Sequence, residues 1–280
     1  MVQEHLQTKT GKCILLRDLN NIKSVGKVTV ENQLQAAVSV LEAQAGATVS
    51  VLVKEGTSDL VGIFYQDQCM KKVFSDFPEL LMIDATYKLN DLRMPLYIML
   101  VVDGNGESEI VATFLAADET EDTIRSMVAE FKSHNPCYSQ VQAIMSDKDF
   151  VERLVLHEEL PQAAMLICLF HVLRTFRREV TCDRMGIRAA QRDLCLDILQ
   201  QIVYARTGEE YDEKVAKLQA TGIRTVTEYY LNNWHNIKEQ FVECFKGQNL
   251  TLGSRMNNRL ESINDKIKSV CSKFVYYFVF

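Results

Sequence analysis

LLMIDATYKLNDLRMPLYIMLVVDGNGESEIVATFLAADE, residues 80–119, decides the fold. LLMIDATY (80–87) is a short apolar run broken by Asp84. PLYIMLVVDGNGESEIVATFLAADE (95–119) reads as two strands joined by DGNG, a turn signal that makes them a hairpin. Three strands in succession make an antiparallel meander. Downstream, TEDTIRSMVAEFKSHN (120–135) has helical spacing, with Ile124, Met127, Val128 and Phe131 on its apolar side and Pro136 closing it. VQAIMSD (141–147) reads as a fourth strand, followed by a helical stretch ending near Pro161, and AAMLICLF (163–170) as a fifth. Strands that follow helices add in parallel to the antiparallel start, so the expected sheet is mixed and α/β.

Beyond residue 171 the strand signals stop. Residues 172–245 read as wholly helical, and GSRMNNRLESINDKIKSV (253–270) as one more helix with Met256, Leu260, Ile263, Ile267 and Val270 on its apolar face. Trp234, within EYYLNNWHNIKEQF, reads as a core aromatic rather than a base-stacking one. Upstream, VENQLQAAVSVLEAQ (30–44) has helical spacing and ATVSVLVKE (47–55) alternates like a short strand. The resulting division is 1–61 as a segment preceding the core and 62–171 as the core. A helical insertion follows at 172–245, and 246–280 holds the final helix.

The composition narrows the function classes. The chain has 280 residues, 47% of them apolar and 24% charged, with 12 Gly and 4 Pro, which excludes collagen and low-complexity disorder. No apolar run reaches the ~18–20 residues of a membrane span, and the first residues, MVQEHLQTKTGK, show no apolar signal region. Cysteines at 13, 69, 137, 168, 182, 195, 244 and 271 form no CxxC pair, so a reducing compartment is expected. The net charge of −6 argues against coating nucleic acid through bulk charge. The charges are unevenly placed, however. Arg174, Arg177, Arg178, Arg184, Arg188 and Arg192 face only Glu179 and Asp183 within 168–192. Arg255, Arg259, Lys266, Lys268 and Lys273 face only Glu261 and Asp265 within 253–273. A local basic zone in an acidic chain binds phosphates or is simply a solvated helix face.

Three carboxylates sit where chemistry can converge. Asp84 lies near the end of the first meander strand, Asp147 at the end of the fourth strand, and Glu261 on the final helix. Gathered at one point, such a cluster repels itself unless protons or cations neutralise it. Mg²⁺ or Mn²⁺ suits oxygen ligands, and two such ions clamp the attacking and leaving oxygens of a phosphodiester. Taken singly, each is equally a turn, cap or solvated residue. Cys168 and His171, the ends of CLFH, are either metal ligands or a structural pair. A tetrahedral zinc site needs two more ligands, and no second CxxC or HxxxH lies nearby.

Together, IDATYKLNDLRMPLYIMLVVDGNG, SDKDF, CLFH and RMNNRLESIN resemble the Mutator-like (MULE) transposase domain, a DDE-type member of the RNase H-like superfamily. The likeness extends over about residues 62–272 and is strongest to domesticated copies, the vertebrate SWIM-type zinc-finger proteins. TGKCILLRDLNNIK (10–23) resembles the segment preceding the domain in such proteins. The resemblance implies a five-stranded RNase H-like sheet with an all-α insertion before the final helix. It places the family's catalytic, metal-binding triad on Asp84, Asp147 and Glu261, and its C/DxxH signature on Cys168 and His171 as a structural motif. Arg174, Arg177, Arg178, Arg255, Arg259 and Lys268 become the nucleic-acid-binding candidates. The SWIM finger (CxCx…CxH) and the amino-terminal DNA-binding module are missing, and the chain stops soon after the Glu261 helix. That reads as a fragment or truncated form of a longer protein, with no zinc site expected. The implied function is a nuclear DNA- or protein-interaction module without physiological transposition. Its rival is an active Mg²⁺- or Mn²⁺-dependent DDE transposase or nuclease. DNA binding by this stretch alone is expected to be weak, and no membrane partner is expected.

Overall fold

The structure is a computed structural model that describes residues 38–246 except 40, 45, 58 and 87–93. Seven strands form one sheet: β1 (Thr48–Val53), β2 (Leu60–Gln66), β3 (Leu80–Thr86), β4 (Leu96–Val102), β5 (Ser108–Ala116), β6 (Ala143–Ser146) and β7 (Ala164–Ile167), in the order β1-β2-β5-β4-β3-β6-β7. The meander is present. β3 pairs antiparallel with β4, which pairs antiparallel with β5. The DGNG turn closes as its composition dictates. Asp103 accepts the backbone N–H groups of Asn105 (3.0 Å) and Glu107 (2.7 Å), while Gly106 adopts a left-handed φ of 79°. The amide of Glu107, foremost among these donors, holds the Asp103 carboxyl below its ordinary range.

The strand count differs from the expected five. β1 and β2 extend the meander, with β2 antiparallel to both β1 and β5. β2, LVGIFYQ, ends on Gln66, a fully buried polar side chain. Its cost is offset by a reciprocal amide pair. Gln66 Nε2 donates to Asn135 Oδ1 (2.9 Å), Asn135 Nδ2 donates to Gln66 Oε1 (3.0 Å), and the carbonyls of Val111 and Phe131 take the remaining hydrogens. Gly62, within the same strand, is there for a steric reason: a Cβ would stand 2.3 Å from the Phe114 ring.

The described residues divide into two compact units, 38–144 with 149–163, and 145–148 with 164–246. The first holds α1 (Gln68–Asp76), α2 (Glu121–His134) and α3 (Phe150–Glu159). α2 buries Ile124, Met127, Val128 and Phe131, the positions its periodicity singles out, together with Thr123. α3 starts at Asp149, whose side chain accepts the N–H groups of Val151 and Glu152. The core of this unit includes Phe64, Phe74, Tyr97, Ile98, Phe114 and Phe131.

The second unit is helical after β7: α4 (Leu169–Glu179), α5 (Cys182–Met185), α6 (Ala189–Val203), α7 (Gly208–Ala220), α8 (Arg224–Asn233), a 3₁₀ turn (His235–Gln240) and α9 (Glu243–Lys246). The fifth strand is shorter than AAMLICLF suggested, and the helix begins at Leu169 rather than after His171. The apolar run continues from strand into helix, and periodicity alone cannot divide it. Trp234 lies in the core as expected, edge-on to Phe176 (4.9 Å) and Phe241 (5.4 Å). No helix among the described residues is long and apolar enough to cross a membrane. The final helix, 253–270, lies outside the described residues, as does most of the helix expected at 30–44.

Candidate functional site

The residues of interest in the helical unit begin where β6 ends. Asp147 is the first residue beyond that strand, and its side chain is 55% exposed. Its Oδ1 accepts the N–H of Lys148 at 2.6 Å and lies 3.8 Å from Nδ1 of His171. His171 is carried on the first turn of α4, whose N-cap is Cys168, immediately after β7. Cys168 is buried, and its N–H donates to the carbonyl of Ser146 (3.1 Å). The CLFH stretch therefore brings an imidazole towards a strand-end carboxylate. Lys148 turns the other way: its Nζ donates to the carbonyl of Asn233 (2.7 Å) and lies 3.9 Å from the centre of the Trp234 ring. That anchors the strand end to the helical core.

Asp84 belongs to the strand-rich unit. It sits on β3 in register with Ile98 of β4 and is half-buried. Glu261, the third member of the expected triad, lies outside the described residues, as do Arg255, Arg259 and Lys268. Oxygen donors of this kind suit hard divalent cations. Among the described residues, no three His, Cys, Asp or Glu side chains gather in a way that would hold a metal ion. The full ligand set thus remains what the resemblance implies.

The basic surface of α4 is better defined. Leu169, Val172 and Phe176 recur at helical spacing and are buried, which leaves Arg174, Arg177 and Arg178 exposed. Arg177 and Arg178 fall in the last turn, where the helix dipole favours cations. Five of the six arginines of 168–192 then sort by what they touch. Arg192 serves the fold: its Nε donates to the carbonyl of Val180 (3.0 Å) just past the end of α4. Arg178 and Arg184 both reach Glu179. Arg174 and Arg177 take part in no ion pair among the described residues. Sequence reasoning missed the bridging role of Glu179. TFRREVTCDR carries two acids, Glu179 and Asp183, and only the fold shows that it is Glu179 that pairs with Arg184, across the turn between two helices.

Residues 38–166 match the family model described as the RNaseH-like domain of zinc finger SWIM domain-containing protein 1/3. The match takes in all of β1 to β6 and most of β7. A human protein named Uncharacterized protein ZSWIM9 is 22% identical over 198 residues, which cover 70% of this chain and 31% of that protein. A Chaetomium globosum protein named PKS-NRPS hybrid synthetase cheA is 23% identical over 229 residues, 72% of this chain and 5% of that protein. The chain thus spans about a third or less of the length of these relatives. Together with the mixed α/β sheet, the match supports an RNase H-like fold for residues 38–166, similar to the domain of that name in SWIM-type zinc-finger proteins.

Proposed function

We propose that this chain is a transposase-derived RNase H-like module, of Mutator-like DDE descent, that contacts DNA in the nucleus without physiological transposition. The observation that carries the reading is the exposed arginine face of α4, on which Arg174 and Arg177 have no acidic partner among the described residues. Basic side chains left to water on a packed helix are suited to the phosphate backbone and carry no base specificity. The chain's overall negative charge keeps the affinity low. The test is polarisation of a labelled DNA duplex across a salt series. Replacing Arg174 and Arg177 with Ala weakens binding and flattens the log–log salt slope by about 1.8, about 0.9 per phosphate contact. Unchanged affinity and slope remove α4 as the contact, and binding to nuclear proteins without DNA replaces the DNA reading.

A second reading has its own observation. Asp147 is exposed at a strand end beside His171, a placement suited to a carboxylate that ligates metal. In this reading Asp84, Asp147 and Glu261 hold Mg²⁺ or Mn²⁺ and the chain cleaves DNA phosphodiesters. Cys168 and His171 then act as a structural pair and not as zinc ligands. Mn²⁺-dependent nicking by the 280-residue chain, abolished in Asp147→Asn, supports this reading. Equal nicking by both proteins excludes these carboxylates from catalysis.

A further inference from the structure

Two acids, Glu179 and Asp183, interrupt the arginine run, and the DNA reading leaves Glu179 without a role. Glu179 ends α4 with its side chain 21% exposed, whereas those of Arg178 and Arg184 are 70% and 62% exposed. Arg178 Nε stands 3.0 Å from Glu179 Oε1, and Arg184 Nη1 pairs with Glu179 Oε2. Each carboxylate oxygen therefore takes one guanidinium, the first from α4 and the second from α5. The turn between the two helices has its own supports. Thr181 N–H donates to the carbonyl of Glu179 (3.0 Å), Thr181 Oγ1 accepts the N–H of Arg184 (3.3 Å), and Arg192 holds the carbonyl of Val180. The approach of the two arginines is thus set by the backbone as well as by the acid between them.

Two guanidinium groups converging on a singly charged, two-oxygen anion form an arrangement that also suits the non-bridging oxygens of a phosphodiester. We propose that Arg178 and Arg184 form a phosphate fork for DNA, and that Glu179 is its internal occupant, displaced when a backbone phosphate arrives. This rests on the reading of α4 as a DNA contact and adds how that contact is regulated. Exposed ion pairs are weak in water, so Glu179 is a brake and not a lock. A polyanion also gains from counterion release, which a free phosphate ion does not. Glu179 therefore lowers both the affinity and the number of phosphates the surface engages.

The site has a natural reporter. The Tyr229 phenol, pushed up chiefly by burial, lies in the field of Glu179, Arg178 and Arg184, and its oxygen accepts the N–H of Trp234 at 3.0 Å. Trp234 is the only tryptophan in the chain.

The experiment titrates a DNA duplex into the 280-residue chain and into its Glu179→Gln variant across a salt series, reading polarisation and tryptophan emission. Glu179→Gln is expected to bind about two- to fivefold more tightly, the range removal of one exposed charge pairing allows. Its salt slope steepens by about 1.8 as two arginines become available. In that background Arg178→Ala with Arg184→Ala removes the gain, while in the wild-type background the same pair costs less. DNA shifts Trp234 emission in the wild type and less so in Glu179→Gln. A gain that survives loss of both arginines is bulk charge and overturns the fork. Wild-type affinity and slope in Glu179→Gln, with Arg174 and Arg177 still required, overturn the fork and leave the DNA reading standing. Absence of salt-dependent binding in every variant removes both.

Discussion

α2 and α4 are both amphipathic helices with basic side chains on their outer faces, yet they treat them in opposite ways. On α2, Arg125 meets Glu121 at 2.8 Å and, from α3, Glu158 at 2.6 Å and Glu159 at 2.8 Å, while Lys132 reaches Glu159 at 3.1 Å. On α4, Arg174 and Arg177 face water, and a single carboxylate is divided between Arg178 and Arg184. The interiors differ in the same sense. The strand-rich unit encloses a satisfied polar pair, Gln66 with Asn135, whereas the helical unit is built around aromatic edges on Trp234. An arginine is structural where acids surround it and available for a ligand where they do not. Residue type alone does not separate the two cases.

The largest expected effect tests the interiors. Trp234→Ala removes the ring that packs against Phe176 and Phe241 and should cost about 3–5 kcal/mol. Urea denaturation followed by amide protection in α6 to α8 measures it, and a loss under about 1 kcal/mol would mean that the ring is not central to that core. The matching change in the strand-rich unit is smaller. Asn135→Ala leaves the buried Gln66 amide without its partner and should cost about 1–3 kcal/mol, read from protection of β2 and β5. If Asn135→Ala proves the more damaging, polar closure rather than apolar packing dominates stability, and the comparison reverses.

Much of the architecture was legible because local signals agreed with it. DGNG names its own hairpin, and the spacing of Ile124, Met127, Val128 and Phe131 names the buried face of α2. The burial of Gln66 at the end of β2 was not legible, because its amide partner Asn135 lies far along the chain. The start of α4 was misplaced because Leu166, Ile167, Leu169 and Val172 are all apolar for different reasons, first in a strand and then in a helix. At the candidate site, Asp84, Asp147, Cys168 and His171 stood out through resemblance, and the 3.8 Å approach of His171 to Asp147 needed the fold. The six arginines were visible as a basic zone. That Arg192 serves a helix end, that Arg178 and Arg184 share Glu179, and that Arg174 and Arg177 remain available are facts of three-dimensional placement.

The smallest expected effect tests the contrast between α2 and α4 most directly, through pH. Lys132, and then Arg125, hold the Glu159 carboxyl below its ordinary value of 4.5. A carboxylate whose folded pKa is depressed stabilises the fold above its unfolded pKa, and that contribution disappears as pH falls through the folded value. Acidification from neutrality into the region below about 4.5 should therefore erode the hold of α2 on α3. The Glu159 pairings are partly exposed, so the loss is under about 1 kcal/mol and shrinks in high salt. Arg125→Met removes one partner in advance, so its stability should fall less steeply with acid than that of the wild type. Arg174→Met and Arg177→Met have no carboxylate to release and should follow the wild-type acid profile, while weakening DNA binding. The measurement is urea midpoint against pH for all four proteins at low salt. Identical acid slopes for wild type and Arg125→Met would show that the α2–α3 charges contribute nothing to stability. An acid slope altered by Arg174→Met or Arg177→Met would show that α4 pairs its arginines after all, and the distinction between the two helices would fall.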